Sequence, residues 1–377
     1  MKIISGKVCE TLNFVRDGAF MNTNKLMVAG PTEIEEDIRA AGAQPMVYNR
    51  TPDFGQFILE VEKNLKTFFK TKNDVYILSC SGTGAMECAV INFLSPGDEA
   101  VILSGGTFGY RWHEIASRYG VKSRLLTVSQ GESINPGVIK EAITDVTKAV
   151  FVTANETSTG VIIDLEAIGR HVEETQAILV VDAVSSLGAD RLETDMWNCD
   201  VVITAGQKAL AIPPGIAFIS VSEKGWQLAE KSKTPKYYFD LKFYRDNMVR
   251  GQTPFTPPIS LLYQLDARLK KIIAQGLDSI IDKQKEKSLY LQDMLRNIGL
   301  PVIGSKPSNG VVGIRFPEEI NAVHVVERLR NDYAIEITPS PGDDKSKIAR
   351  VGLFGNLTVE DIDNLIKALK VLIKENS

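Results

Sequence analysis

The chain has 377 residues, 44% hydrophobic and 24% charged, with a net charge of −4. That length suits two domains, or one large α/β domain with an appendage, and the composition is that of a soluble globular enzyme. No charge run, apolar span or leader-like start points to nucleic acid, membrane or secretion. Four scattered cysteines and three unpaired histidines offer neither a disulfide framework nor a zinc site. A cytoplasmic protein with reduced thiols and no bound metal is expected.

The first 25 residues are weakly patterned and read as an arm that packs on something else. From Asp53, "DFGQFILEVEKNLKTFF" places apolar residues at 54, 57, 58, 61, 65, 68 and 69, which predicts a helix with Asp53 near its start. "VYILS" (75–79) is a strand-type run, "GTGAMECAVINFL" a helix, and "SPGDE" its stop. Apolar runs then alternate with helical stretches: 100–104, 122–128, 148–155, 177–185, 200–206 and 215–222 read as strands. That alternation predicts a mainly parallel seven-stranded sheet between helices.

The pattern changes after residue 222. "KSKTPKYYFDLKFYRDNMVRGQTPFTPP" (231–258) is aromatic, basic and proline-rich without a sustained period. Two long helices are predicted at about 258–275 and 277–298. A smaller α+β unit follows through "GVVGIRF", "AVHVVERLRN", "AIEIT" and "IARVGLF" to a closing helix. The expected organisation is an arm over 1–25, a large domain over 26–258 and a small C-terminal α+β domain over 259–377.

Ligands of open parallel sheets bind beyond the carboxyl ends of the strands. There, "SCSGTGAME" offers small residues and the free N–H groups of a following helix, a place for a phosphate. The dinucleotide fingerprint fails, because Glu87 occupies the third glycine position and no acid ends the second strand. Nor does a P-loop Lys-Ser/Thr pair follow, so a smaller phosphorylated cofactor is indicated. Asp182 ends the apolar "ILVVD" strand, where a carboxylate is costly unless it meets a cation or a donor. A capping role is the plainer alternative. Lys208, in "TAGQKALAIPPG", has no charged neighbour, and burial there would depress its pKa and make it nucleophilic. The plainer alternative is a lysine that snorkels out of a tight turn. Together, a phosphate cradle, a carboxylate and a desolvated amine fit pyridoxal phosphate (PLP).

The ordered motifs "SGTGAME", "GTFGYRW", "NETSTG", "VDAVSSLGA", "GQKALAIPPG" and "RVGLFGN" closely resemble class V aminotransferases of PLP fold type I. The likeness runs from about Gly30 to the C-terminus and is nearest to alanine–glyoxylate and serine–pyruvate aminotransferases and the related 2-aminoethylphosphonate–pyruvate enzymes. It implies Lys208 as the lysine that holds the cofactor and moves the proton, with Asp182 on the ring nitrogen. It implies Ser81, Gly82, Thr83 and Gln207 at the phosphate, Phe108 stacked on the ring and Thr157 at its phenolic oxygen. Thr256, with Thr253, would reach the phosphate of a second subunit, making a homodimer with shared sites. Arg350 would grip the substrate carboxylate beside the Gly30 backbone. Asn49-Arg50 departs from the family's His-Arg and leaves Arg50 without a role.

Alanine or serine as donor and glyoxylate or pyruvate as acceptor are expected, because no basic cluster is dedicated to a phosphonate. A PLP lyase such as a cysteine desulfurase would carry histidines where this chain has Gln207 and Phe108, and a cysteine within 310–345, where there is none. A non-catalytic sensor or scaffold would not need the full set of catalytic positions.

Overall fold

The computed structural model describes residues 24–375. Most of the expected arm therefore lies outside the described residues. Lys25, its last residue, forms with Leu26 a short strand parallel to Ile335–Glu336.

The central sheet has seven strands in the spatial order Val75–Leu78, Ala217–Val221, Val201–Ala205, Ile178–Asp182, Thr147–Thr153, Glu99–Ser104 and Lys122–Thr127. The inner strands are buried on both faces, as their unbroken apolar runs require. Only the edge strand Lys122–Thr127 alternates. Ala217–Val221 runs antiparallel to both neighbours. Its cause is local: the link from Val201–Ala205 is a tight return with no crossover helix, closed by the Gly206 amide on the Ile216 carbonyl at 3.1 Å. Lys208 lies in that return.

The helix predicted from Asp53 is Pro52–Phe69, and its cap is Thr51, whose hydroxyl accepts from the Phe54 amide at 3.2 Å. Inside the unpatterned 231–258 segment the chain forms a helix, Leu241–Met248, capped by Asp240. Its aromatic neighbours pack on one another, with Tyr238 and Phe255 stacked at 4.8 Å.

The expected domain boundary at 258/259 does not match the division of the cores. Helix Ile259–Gln275 buries Leu262, Leu265, Leu269 and Ile272 in the large core with the sheet. The change comes after the Gly276 turn, where Leu277–Asn297 sends Leu291 and Leu295 into a second core with Val312, Ile314, Val351 and Leu369. Met27 joins that second core from the start of the chain. An amphipathic stripe shows that a helix docks, not which core it docks on. The second unit is built on a three-stranded antiparallel sheet, Val311–Arg315, Ile348–Gly352 and Thr338–Pro339, covered by Ala322–Tyr333 and Val359–Glu375. Among the described residues no helix is long and apolar enough to cross a membrane.

Candidate active site

Asp182 ends the middle strand of the sheet, paired in register with Thr153 on one side and Ile203 on the other. Its carboxylate is buried. Oδ1 accepts from the Val184 amide at 2.9 Å, and Oδ2 has no hydrogen-bond partner among the described residues. Burial pushes its pKa up to about 6; Glu156 adds to the rise, while the Val184 N–H and the charges of Arg111 and Lys208 oppose it.

Lys208 is half-buried in the return after the next strand, and its Nζ donates to the Ala29 carbonyl. Burial lowers its pKa to about 8, helped by the Arg350 charge and opposed by Asp182. The amine therefore lies within electrostatic reach of both groups. Gly30 backs against it at φ +111°, and a Cβ there would stand 2.7 Å from Lys208 Cδ and 2.8 Å from Nζ. Both the space and the backbone conformation demand glycine. Gln207 keeps a buried Oε1 without a partner.

Beyond Val75–Leu78, helix Gly82–Phe93 begins with Ser81 as its cap, the hydroxyl accepting from Gly84 N at 3.4 Å. The Gly82 and Thr83 amides, in the first turn, have no intrahelical acceptor. Gly82 also lets this turn approach the strand end, because a Cβ would lie 2.9 Å from Val184 Cγ2. Thr83 Oγ1 accepts from Arg111 at 3.1 Å, and the Arg111 guanidinium sits 4.8 Å from the Phe108 ring centroid.

Phe108 is the second residue of helix Thr107–Arg118, whose own N-cap, Gly106, has no side chain to offer. Glu156 substitutes. Its Oε1 accepts from Phe108 N at 3.3 Å and its Oε2 from Gly109 N at 2.9 Å, while Ser158 holds Oε1 at 2.5 Å. Sequence reasoning passed over Glu156 and Arg111. The available signal was a glutamate inside "NETSTG" together with a helix start that lacked a capping side chain.

Thr157 Oγ1 shares a hydrogen bond with Ser185 Oγ at 2.7 Å, and its carbonyl accepts from Arg350 Nη1 at 3.0 Å. Arg350 projects from Ile348–Gly352, and its Nη2 donates to the Pro339 carbonyl at 3.0 Å. Its Nε is buried without a partner, and the residue makes no ion pair among the described residues. Burial lowers its pKa to about 10, against the pull of Glu156.

Thr253 and Thr256 stand apart from this group. The Thr253 hydroxyl donates to the Phe255 carbonyl at 2.7 Å, while Thr256 is exposed. No hydrogen bond joins either to the Ser81–Thr83 turn of the same chain. Arg50 reaches their segment, donating to the Thr253 carbonyl at 2.8 Å and to Gln252 at 3.1 Å.

What the site leaves open matches PLP: free helix-turn amides for a phosphate, Asp182 Oδ2 for a ring nitrogen and an amine of depressed pKa for an aldehyde. The family profile described as aminotransferase class-V matches residues 32–365. The chain belongs to the class-V aminotransferase family.

This class-V aminotransferase is a PLP-dependent transaminase. It is 37% identical to a protein of Anabaena cylindrica named soluble hydrogenase 42 kDa subunit, over 93% of each chain. It is 30% identical to the L-aspartate–glyoxylate aminotransferase of Paracoccus denitrificans, over 89% of this chain and 87% of that one. The crystal structure of alanine–glyoxylate aminotransferase from Nostoc sp. superposes with a TM-score of 0.91 at 27% identity, covering 96% of this chain and 99% of the other. The PLP fold type I expected from the motifs is the fold found.

Proposed function

We propose that this aminotransferase moves the amino group of a small amino acid, alanine or serine first, to glyoxylate or pyruvate in two alternating half-reactions. The observation that carries the reading is Arg350: a half-buried guanidinium, oriented by two backbone carbonyls, with a buried, unfilled Nε and no carboxylate paired to it among the described residues. Such a group is built for a carboxylate that arrives with the substrate. When bound, PLP supplies the electron sink that makes the donor's Cα–H acidic and carries the amino group between half-reactions.

The chain's own residues do the rest. Ser81, Gly82, Thr83 and Gln207 would hold the phosphate, Phe108 would lie against the ring and Thr157 would support the phenolic oxygen. Asp182 would accept the ring N–H through Oδ2, since Oδ1 already accepts from Val184. Lys208 would hold the aldehyde in the resting enzyme, and its amine, once freed by the substrate, would move the donor's Cα proton. Arg350 fixes the α-carboxylate over this amine, with the Gly30 backbone as the facing wall. The test is absorbance of the yellow enzyme. L-alanine or L-serine should bleach the aldehyde band, and glyoxylate or pyruvate should restore it. Failure across a broad donor panel would overturn the reading.

A second donor class has its own observation. Arg111 makes no ion pair among the described residues and stands over Phe108 beside Thr83, so it is available to a side-chain carboxylate. The Paracoccus relative is named for L-aspartate. An Arg111→Gln variant that loses turnover with aspartate while keeping it with alanine would favour an acidic donor.

We further infer a homodimer in a cytoplasmic setting. Thr256 is exposed next to an apolar surface of Tyr237, Tyr238, Phe243 and Val249, which suits a partner subunit whose phosphate it would reach. Cys80, Cys88 and Cys199 are unpaired, as a reducing compartment allows.

A further inference from the structure

One buried carboxylate lies outside the machinery above. Asp190 ends the turn that follows Asp182, and it is anchored on the large unit by its own amide on the Ser186 carbonyl at 2.8 Å. Its side chain crosses to the small unit. Oδ2 accepts from Ser308 Oγ at 2.7 Å, and Oδ1 accepts from the Asn309 amide at 2.7 Å. The 308–309 turn leads directly into Val311–Arg315, the strand whose Gly313 pairs with Arg350. From the other side, helix Leu277–Asn297 grips the same turn, Ser288 on the Ser308 carbonyl at 3.1 Å and Gln284 on that of Asn309 at 2.8 Å.

The proton pattern around Ser308 is fixed. Its hydroxyl accepts from Asn155 Nδ2 at 3.0 Å and from the Gly310 amide at 3.0 Å. Asn155 points its NH₂ this way because the same nitrogen also donates to the Ser185 carbonyl at 3.1 Å. With two donors already facing it, the Ser308 hydroxyl has one place left for its own proton: Asp190. Both oxygens of residue 190 must therefore be acceptors, and only a carboxylate provides two. Asn155 and Ser185 in turn set the short strand Asn155–Glu156 and the Thr157 that follows it, whose carbonyl holds Arg350. The path from Asp190 to the arginine is buried at every member before Arg350.

We propose that Asp190 is a positioning residue for Arg350, setting the substrate-carboxylate clamp of the small unit against the Lys208–Asp182 floor through Ser308, Asn155 and Thr157. The inference rests on the reading of Arg350 as that clamp. Replacing one acceptor by a donor at this place misaligns the clamp, while Lys208, Asp182 and the Ser81–Thr83 turn, which the path does not include, stay in place. The consequence falls on carboxylate binding, not on cofactor loading.

The experiment titrates propionate, an unreactive analogue of alanine, into the PLP-loaded enzyme by calorimetry, alongside KM and kcat for L-alanine. Asp190→Asn is near-isosteric but faces an NH₂ towards a donor. It should weaken propionate binding by about tenfold and raise KM by a similar factor, because a buried unsatisfied donor costs roughly that much. PLP content and kcat should change by less than about threefold. Ser308→Ala should act in the same direction, and it carries the test if Asp190→Asn does not fold. The double variant should weaken binding less than the two single effects combined, since removing the hydroxyl removes the donor conflict. Wild-type propionate affinity in a folded Asp190→Asn or Ser308→Ala enzyme would overturn the proposal. Arg350→Gln is the control: if it too binds propionate normally, the reading of Arg350 fails and the inference falls with it.

Discussion

Lys208 and Arg350 influence one another before any substrate arrives. Burial lowers the pKa of the lysine to about 8, and the nearby guanidinium pushes the same way. Its free-amine fraction therefore grows as pH rises through about 8. Reductive methylation of the apoprotein, followed by peptide mass mapping, should label Lys208 with a midpoint near that pH, below the surface lysines. Arg350→Gln removes a positive neighbour, so the midpoint should move up; no upward movement would contradict the pairing. The buried Asp182 acts on stability instead. Its folded-state pKa is raised to about 6 by burial. A raised carboxylate pKa favours the folded state while the proton stays on. That contribution is complete below the unfolded value near 4 and is lost as pH climbs through about 6. Denaturant unfolding of the apoprotein should thus show stability falling between about pH 4 and 6, on the order of 3 kcal/mol. Asp182→Asn should remove that slope.

At the scale of elements, Glu156 shows why a site can be only partly legible in a sequence. Six strands of the sheet were readable as short apolar runs with no competing period, and the edge strand Lys122–Thr127 by its place in the alternation with helices. Lys208 and Asp182 were readable because charge is out of place in such runs. Glu156 sits three residues past the end of the sheet strand Thr147–Thr153 and reads in the sequence as an ordinary loop acid. Its meaning depends on helix Thr107–Arg118, nearly 50 positions away, arriving with two amides and no cap. The same limit hid the helix Leu241–Met248, about two turns set among packed aromatic rings, and the docking of Ile259–Gln275 on the large core. Glu156→Ala should expose how much the element depends on this cap. Removing a buried charged acceptor from two backbone donors and Ser158 should cost about 3 kcal/mol in urea unfolding. Phe108, which starts that helix, should shift with it, so the circular dichroism of bound PLP should weaken. Unchanged dichroism would mean that Phe108 is held by something else.

For the whole molecule, the distribution of exposed apolar surface bears on assembly. Val249 is 85% exposed and Tyr237 71%, on a segment whose other aromatic rings are packed together. A second exposed set, Met46 and Tyr48 at 67% and 70%, lies in the turn just before Arg50, and Arg50 binds the carbonyl of Thr253. These two sets flank the stretch that carries Thr256. Solvated apolar side chains so concentrated around one candidate ligand of the phosphate are explained if a second copy covers them. Light scattering should therefore give twice the chain mass of 41.5 kDa. Val249→Asp with Tyr237→Asp should shift the enzyme to monomer, since burying two unpaired carboxylates at an interface is strongly unfavourable. The monomer should keep its fold by far-UV circular dichroism yet bind PLP at least about tenfold more weakly, because it lacks the hydroxyl of the partner's Thr256 and its shielding from water. Thr256→Ala in the intact dimer separates the two effects: it should account for part of that loss without changing the mass. A monomeric wild-type enzyme with full PLP affinity would refute the shared site.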